Sequence, residues 1–330
     1  MIRWLYRGVL AVLVLLALLL LASAIYQSVE MRSDARAFPE PGRLVDAGGI
    51  RLQINCTGSG TPTVVLESGL GDISIEWDQV QKGIAKFSRV CSYDRAGYGS
   101  SDPGPMPRTS ARIANELHVL LHNAGEIRPI VLVGHSFGGY NVRVFNGQYP
   151  DGVAGMVLVD SPQEDQYQML PKAWDSISLG LLRHFKSQAM WAPLYVDTGL
   201  ARLQLRGQGI YPGDYLYLQS KYLKARASEL EEIQVSAEQA RAAGNLGEKP
   251  LVILTAGGKP DAILANGLSE EDNRKFQQIW IDDLQMRLTH LSTRGTRIIV
   301  QGSGHNIPLE RPDSIVNAVR DVVAGARNTR

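Results

Sequence analysis

The chain contains only two cysteines in 330 residues, Cys56 and Cys91, too few for a disulfide scaffold. Its formal net charge is +1, and no dense Lys/Arg cluster interleaved with aromatics is present. That excludes the broad basic field needed to hold a nucleic-acid backbone. No internal repeat of fixed period occurs, and apart from one apolar run there is no low-complexity segment. Disorder is excluded as well, because 44% hydrophobic and 20% charged residues can bury one large core or two modest ones. What remains is the composition of a folded globular protein.

The apolar run is near the start of the chain. Arg3 and Arg7 precede an uninterrupted stretch from Gly8 to about Ala22, extending to Ile25 if Ser23 is tolerated. With that extension, the stretch of about 18 residues reaches the lower bound for a membrane-spanning helix and exceeds the usual core of a cleaved signal, roughly 7 to 15 residues. Residues 1–30 are therefore read first as a retained anchor. Ala22-Ser23-Ala24 resembles a cleavage site, and removal near Ala24 would instead give a secreted protein. The two arginines before the run predict an N-terminus in the cytoplasm and the rest of the chain outside. Residues 31–43, polar and carrying Pro39 and Pro41, read as a linker that holds the domain off the membrane.

From Leu44 onward, eight β-type runs alternate with helical patterns. "RLVDAG" and "IRLQINCTG" pair as a hairpin through Gly48-Gly49. "TVVLESG", "SRVCSYDR", "PIVLVGHS", "GMVLVDS", "PLVILTAG" and "TRIIVQGSG" follow. Strands that are apolar throughout are covered on both faces, so the expectation is an α/β fold with a mostly parallel eight-stranded sheet flanked by helices. Helices are expected near 76–88, 109–124, 137–148, 269–292 and 312–325. Between "VLVDSP" and "KPLVIL" the spacing is far longer than one crossover requires. Residues 163–249 therefore read as an inserted helical cap, dividing a core of 44–162 and 250–330. The cap is rich in Trp, Tyr and Leu, including Trp174, Trp191, Tyr195, Tyr211, Tyr215 and Tyr217.

Gly134-His135-Ser136-Phe137-Gly138 satisfies G-x-S-x-G between a strand and a helix, the context that gives this pattern meaning. A sharp strand-to-helix turn needs glycine at 134 and 138 and lifts the Ser136 hydroxyl clear of the sheet. The first turn of the helix offers unpaired N–H groups beside it. A serine nucleophile needs a base, and His305 lies on the loop after the last strand. His135 reads as packing. His118 and His122, four residues apart, lack the pattern and third ligand of a metal site. His184 and His290 read as surface. Two carboxylates at strand ends can orient the base. Asp160 is preferred because a buried carboxylate there needs a partner, and Asp261 is the alternate. The backbone N–H groups of Leu70, in the Ser68-Gly69-Leu70-Gly71 turn, and of Phe137 are the candidate oxyanion donors.

Together "GHSFGG", "YDRAGYGSSD", "ESGLGD" and the terminal "GSGH" resemble the α/β-hydrolase family over about Arg43 to Ala326. The resemblance implies Ser136 as nucleophile, His305 as general base and then acid, an acid after the seventh or the sixth strand, and no cofactor. It also makes the second and fourth strands neighbours, which would set Cys56 beside Cys91; a bridge and two buried thiols both remain open. The third-strand turn begins Ser68-Gly69 where relatives often have His-Gly. The expected function is hydrolysis of carboxylic esters of small molecules through an acyl-enzyme. A serine peptidase or amidase, an acyltransferase, and a non-catalytic binding protein are the alternatives. Serine at 136 argues against an epoxide hydrolase or dehalogenase, which would need aspartate there.

Overall fold

The computed structural model describes residues 2–126, 129–205, 213–258 and 268–328. Eight strands form one sheet in the order β1-β2-β4-β3-β5-β6-β7-β8. They are β1 (Arg43–Asp46), β2 (Arg51–Thr57), β3 (Thr63–Glu67), β4 (Val90–Tyr93), β5 (Ile130–His135), β6 (Val153–Val159), β7 (Leu251–Ala256) and β8 (Gly295–Val300). β1–β2 and β2–β4 are antiparallel, and every other pair is parallel. The β1–β2 hairpin turns through Gly48 and Gly49, at φ 96° and 93°, a region that only glycine enters cheaply.

The apolar runs of β3 to β7 are buried on both faces because alternate residues serve two cores, whereas β8, at the sheet edge, leaves Ile298 and Ile299 exposed, contrary to the expectation of cover on both faces. Val65, Leu132, Met156 and Leu158 face one side, while Val64, Leu66, Val131, Val133 and Val157 face the other. The first core is closed by α3 (Ser110–Ala124) and α4 (Gly138–Gln148), the second by α2 (Asp78–Ile84) and the C-terminal helix Pro312–Arg327. Thr109 caps α3 and Gly125 ends it in a left-handed conformation, as an N-cap threonine and a glycine C-terminus predict.

Between β6 and β7 the chain builds the cap from α5 (Ala173–Tyr195), α6 (Leu200–Leu205), α7 (Ser220–Glu231) and α8 (Ile233–Ala242), after a short helix at Gln166–Met169. Trp174, Tyr215 and Tyr217 pack into apolar clusters; Tyr211 lies outside the described residues.

The segment read as a free linker differs. Helix α1 runs from Ile2 to Ala37, through Met31 and beyond, because no proline occurs before Pro39, whose ring disfavours helical backbone at Phe38. Its last turns are held against the cap: Arg202 donates to Gln27 Oε1 (2.8 Å) and to Asp34 Oδ2 (2.6 Å). Rather than spacing the domain from the helix, these residues join the two.

Cys56 and Cys91 are register partners on β2 and β4 and form a disulfide. No free cysteine remains.

Candidate active site

β5 ends at His135, Ser136 follows at φ 50°, and α4 begins at Gly138. A left-handed conformation at a residue bearing a side chain is strained, and here it reverses the chain between strand and helix. Close approach explains the glycines. A Cβ at Gly134 would sit 2.7 Å from Gly138 O, and one at Gly138 2.6 Å from Glu67 O and 2.7 Å from Ser68 O. A Cβ at Gly69 would lie 3.3 Å from Ser136 Cβ, so the loop after β3 runs directly beside the serine.

His305 is on the loop after β8 and stays about a third exposed, at 32%. Its Nδ1 is 2.7 Å from Asp160 Oδ2. Asp160 directly follows β6, is buried, and accepts two further hydrogen bonds on Oδ1, from Ala256 N and from Trp280 Nε1, both 3.0 Å. Burial alone would raise the carboxyl's pKa. The hydrogen bond and charge of His305, with the Trp280 and Ala256 donors, outweigh burial and hold it below the ordinary value. Asp261, the alternate acid, lies outside the described residues.

The loop that carries Leu70 is fixed from behind by Arg95, which sequence reasoning missed. This buried guanidinium donates to Ser68 O (2.7 Å) and Gly69 O (2.7 Å), and it pairs with Glu67 (2.9 Å) and with Glu229 of α7 (2.8 and 2.9 Å). In a trans peptide the N–H opposes the C=O, so anchoring Gly69 O on Arg95 turns the Leu70 N–H away from that side. Burial pushes the Glu67 carboxyl up despite Arg95's charge. Its only sequence signal was the arginine in "YDRAGYG"; the partners Glu67 and Glu229 are too far apart in the chain to be recognised as one group. Arg95→Met leaves both carboxylates buried without a counter-charge and should cost about 3–5 kcal/mol in urea unfolding.

His135 does more than fill space. Its Nε2 is 3.0 Å from His305 O and its Nδ1 3.3 Å from Asp72 Oδ2, so it ties the residue before Ser136 to both the histidine loop and the β3 loop. His118 stacks on Tyr149, with ring centroids 3.8 Å apart, and His184 and His290 are exposed.

Beyond Asp72 stands Glu76, whose carboxyl is pushed up to about 7 by burial and by the charge of Asp72, against a 2.6 Å hydrogen bond from Tyr217. A raised carboxyl pKa means that the folded state holds the proton more tightly. The resulting stabilisation is complete below the unfolded value of 4.5 and is lost as pH rises through about 7. Glu76→Gln is therefore expected to flatten the fall in melting temperature across that window, measured by scanning calorimetry.

The sheet order makes this an α/β protein, with the Ser136 elbow after β5 and the hydrogen-bonded His305–Asp160 pair after β8 and β6 at the carboxyl edge of a mostly parallel sheet. A profile of the alpha/beta hydrolase fold matches residues 62–197. The chain is 26% identical over 284 residues to an AB hydrolase superfamily protein of Gibberella zeae, covering 79% of this chain and 86% of that one. It is 33% identical over 136 residues to a Hormonema carpetanum protein named as a transporter, efuK; that match covers 39% of this chain but only 20% of the relative. Among solved structures, a thermophilic esterase from Thermogutta terrifontis superposes with TM-score 0.59 at 20% identity, covering 87% of this chain and 99% of the other. The chain has the α/β-hydrolase fold, and residues 62–197 are similar to that fold's family profile.

Proposed function

We propose that the chain is a membrane-anchored serine hydrolase that cleaves carboxylic esters, with its catalytic domain outside the cytoplasm. One observation carries the chemistry: Ser136 stands on a left-handed elbow at the sheet edge where His305 is hydrogen-bonded to Asp160. Ser136 Oγ attacks the ester carbonyl carbon while His305 Nε2 takes its proton. The carbonyl oxygen becomes an oxyanion held by the Leu70 and Phe137 N–H groups. The intermediate then collapses, and His305 returns the proton to the departing alkoxide. Water, activated by the same imidazole, attacks the acyl-enzyme and frees the acid. Asp160 keeps His305 in the tautomer with Nδ1–H and balances the imidazolium as it forms. His135, Asp72 and Arg95 position this machinery.

The membrane reading is supported by α1, which is long and apolar enough to cross a bilayer and has none of its apolar window buried in the protein. The Cys56–Cys91 disulfide supports an oxidising compartment for the domain. A panel of p-nitrophenyl esters of rising chain length, run alongside fluorophosphonate labelling of the folded full-length protein, tests the reaction class. Labelling with ester turnover supports it, and a folded protein that does neither refutes it. Turnover of anilides in preference to esters would favour the amidase reading.

A further inference from the structure

We infer that the tip of the cap, where α5 ends and α6 begins, is a bilayer-docking surface that lies in the interfacial layer of the membrane crossed by α1. This rests on the membrane reading above and goes beyond it, since an anchor alone leaves the domain free to face any direction.

Three observations carry the inference. First, the level of the bilayer surface is set by α1. Its apolar run ends at about Ala22, and the next turns are seated on the cap: a Cβ at Gly199 would lie 3.1 Å from Ser23 O and 3.0 Å from Gln27 Cβ. Arg202, buried on α6, holds Gln27 and Asp34, and Tyr215 donates to Phe38 O (2.9 Å). The α5–α6 turn therefore stands beside the point where the apolar run gives way to polar sequence.

Second, the outward face of that turn is apolar. Met190, Trp191, Leu194 and Tyr195 occur as i, i+4 pairs on one face of α5, and Leu200 and Leu203 continue the surface on α6, all with between 39 and 66% of their area exposed. Ala192, Val196 and Ala201 fill the opposite, buried side, so the exposed residues are not needed for the cap's own core. Large contiguous apolar patches are rare on soluble surfaces, and tryptophan and tyrosine concentrate at the level of lipid headgroups. Continuity with α1 chooses the occupant, because the lipid that surrounds the apolar run borders this same turn.

Third, the patch is close to the site. One turn back along α5, Gln188 accepts from Arg226 (2.5 Å), and the same guanidinium lies over the Phe185 ring at 3.8 Å. A Cβ added at Gly71, the residue after Leu70, would lie 3.3 Å from Arg226 Cδ. A docked tip thus sets the oxyanion loop near lipid, which fits esters that partition into the bilayer.

The test uses the full-length chain in phosphatidylcholine/phosphatidylglycerol vesicles. With no free cysteine in the native protein, Trp191→Cys and Leu203→Cys can each carry an environment-sensitive NBD label, with Leu15→Cys as the anchor control and Asp321→Cys, on the C-terminal helix, as the aqueous control. Lipid bearing a nitroxide just below the headgroup should quench the labels at 191 and 203 several-fold more than that at 321. Two positions keep the test valid if one variant misfolds. Quenching at 15 but none above the 321 level at 191 and 203 overturns the docking and leaves the anchor intact. A label at 15 that is also unquenched overturns both. Shielding of 191 and 203 from lipid, with excimer emission from pyrene at the same cysteines, would show a second copy of the chain on this face and overturn the inference.

Discussion

Ser136→Ala is expected to abolish fluorophosphonate labelling and to lower turnover of an activated short-chain ester by a factor on the order of 10⁶, the loss seen when an obligatory acyl-enzyme cannot form. The size follows from the proposed chemistry, in which alanine would leave the Leu70 and Phe137 donors in place and remove only the atom assigned to the covalent bond. Stability should separate the role of the hydroxyl from that of the elbow. Residue 136 is held at φ 50°, so Ser136→Gly should at least match Ser136→Ala in urea unfolding. Relief of left-handed strain, about 1–2 kcal/mol, offsets glycine's greater loss of chain entropy, about 0.5–1 kcal/mol. An alanine variant that is folded and retains wild-type turnover would remove Ser136 from the mechanism.

The parts of this arrangement that could be read in advance are those encoded by local patterns. Each apolar run from "TVVLE" to "LVILT" forms a strand with both faces covered, "TRIIV" forms the exposed edge strand, and the glycines at 134 and 138 mark a turn that side chains would obstruct. What escaped notice depends on residues distant in sequence. Arg95 gains its meaning only when Glu67 and Glu229 close around it, 28 and 134 residues away. Trp280 reaches Asp160 from a π-helical turn, Ile279–Leu284, inside what reads as one continuous amphipathic helix. The polarity of 31–43 suggested a linker, yet within it Asp34 accepts from buried Arg202. A charged residue seen alone in sequence does not disclose whether it faces water or a partner.

The same dependence on partners governs Asp160→Asn, for which kcat is expected to fall about 10⁴-fold while the fold is kept. Asparagine matches the volume and tolerates the φ of 42° at this position better than most residues do. Its amide orientation is dictated by neighbours. Ala256 N and Trp280 Nε1 both donate to Oδ1, so the single carbonyl oxygen must take that place. The NH₂ group then faces His305 Nδ1 where Oδ2 had accepted, and the ring must carry its proton on Nε2 instead. A histidine protonated on Nε2 cannot take the proton of Ser136. The aspartate's depressed pKa adds a second readout: its stabilisation is present above the unfolded value and is lost as pH falls through the lower folded value. Asp160→Asn should therefore be less sensitive to acid unfolding than the parent. Asp261→Asn, measured in parallel on the same ester, should remain close to wild type in kcat. The reverse ranking would transfer the acid to Asp261, and wild-type activity in both variants would mean that neither carboxylate orients His305.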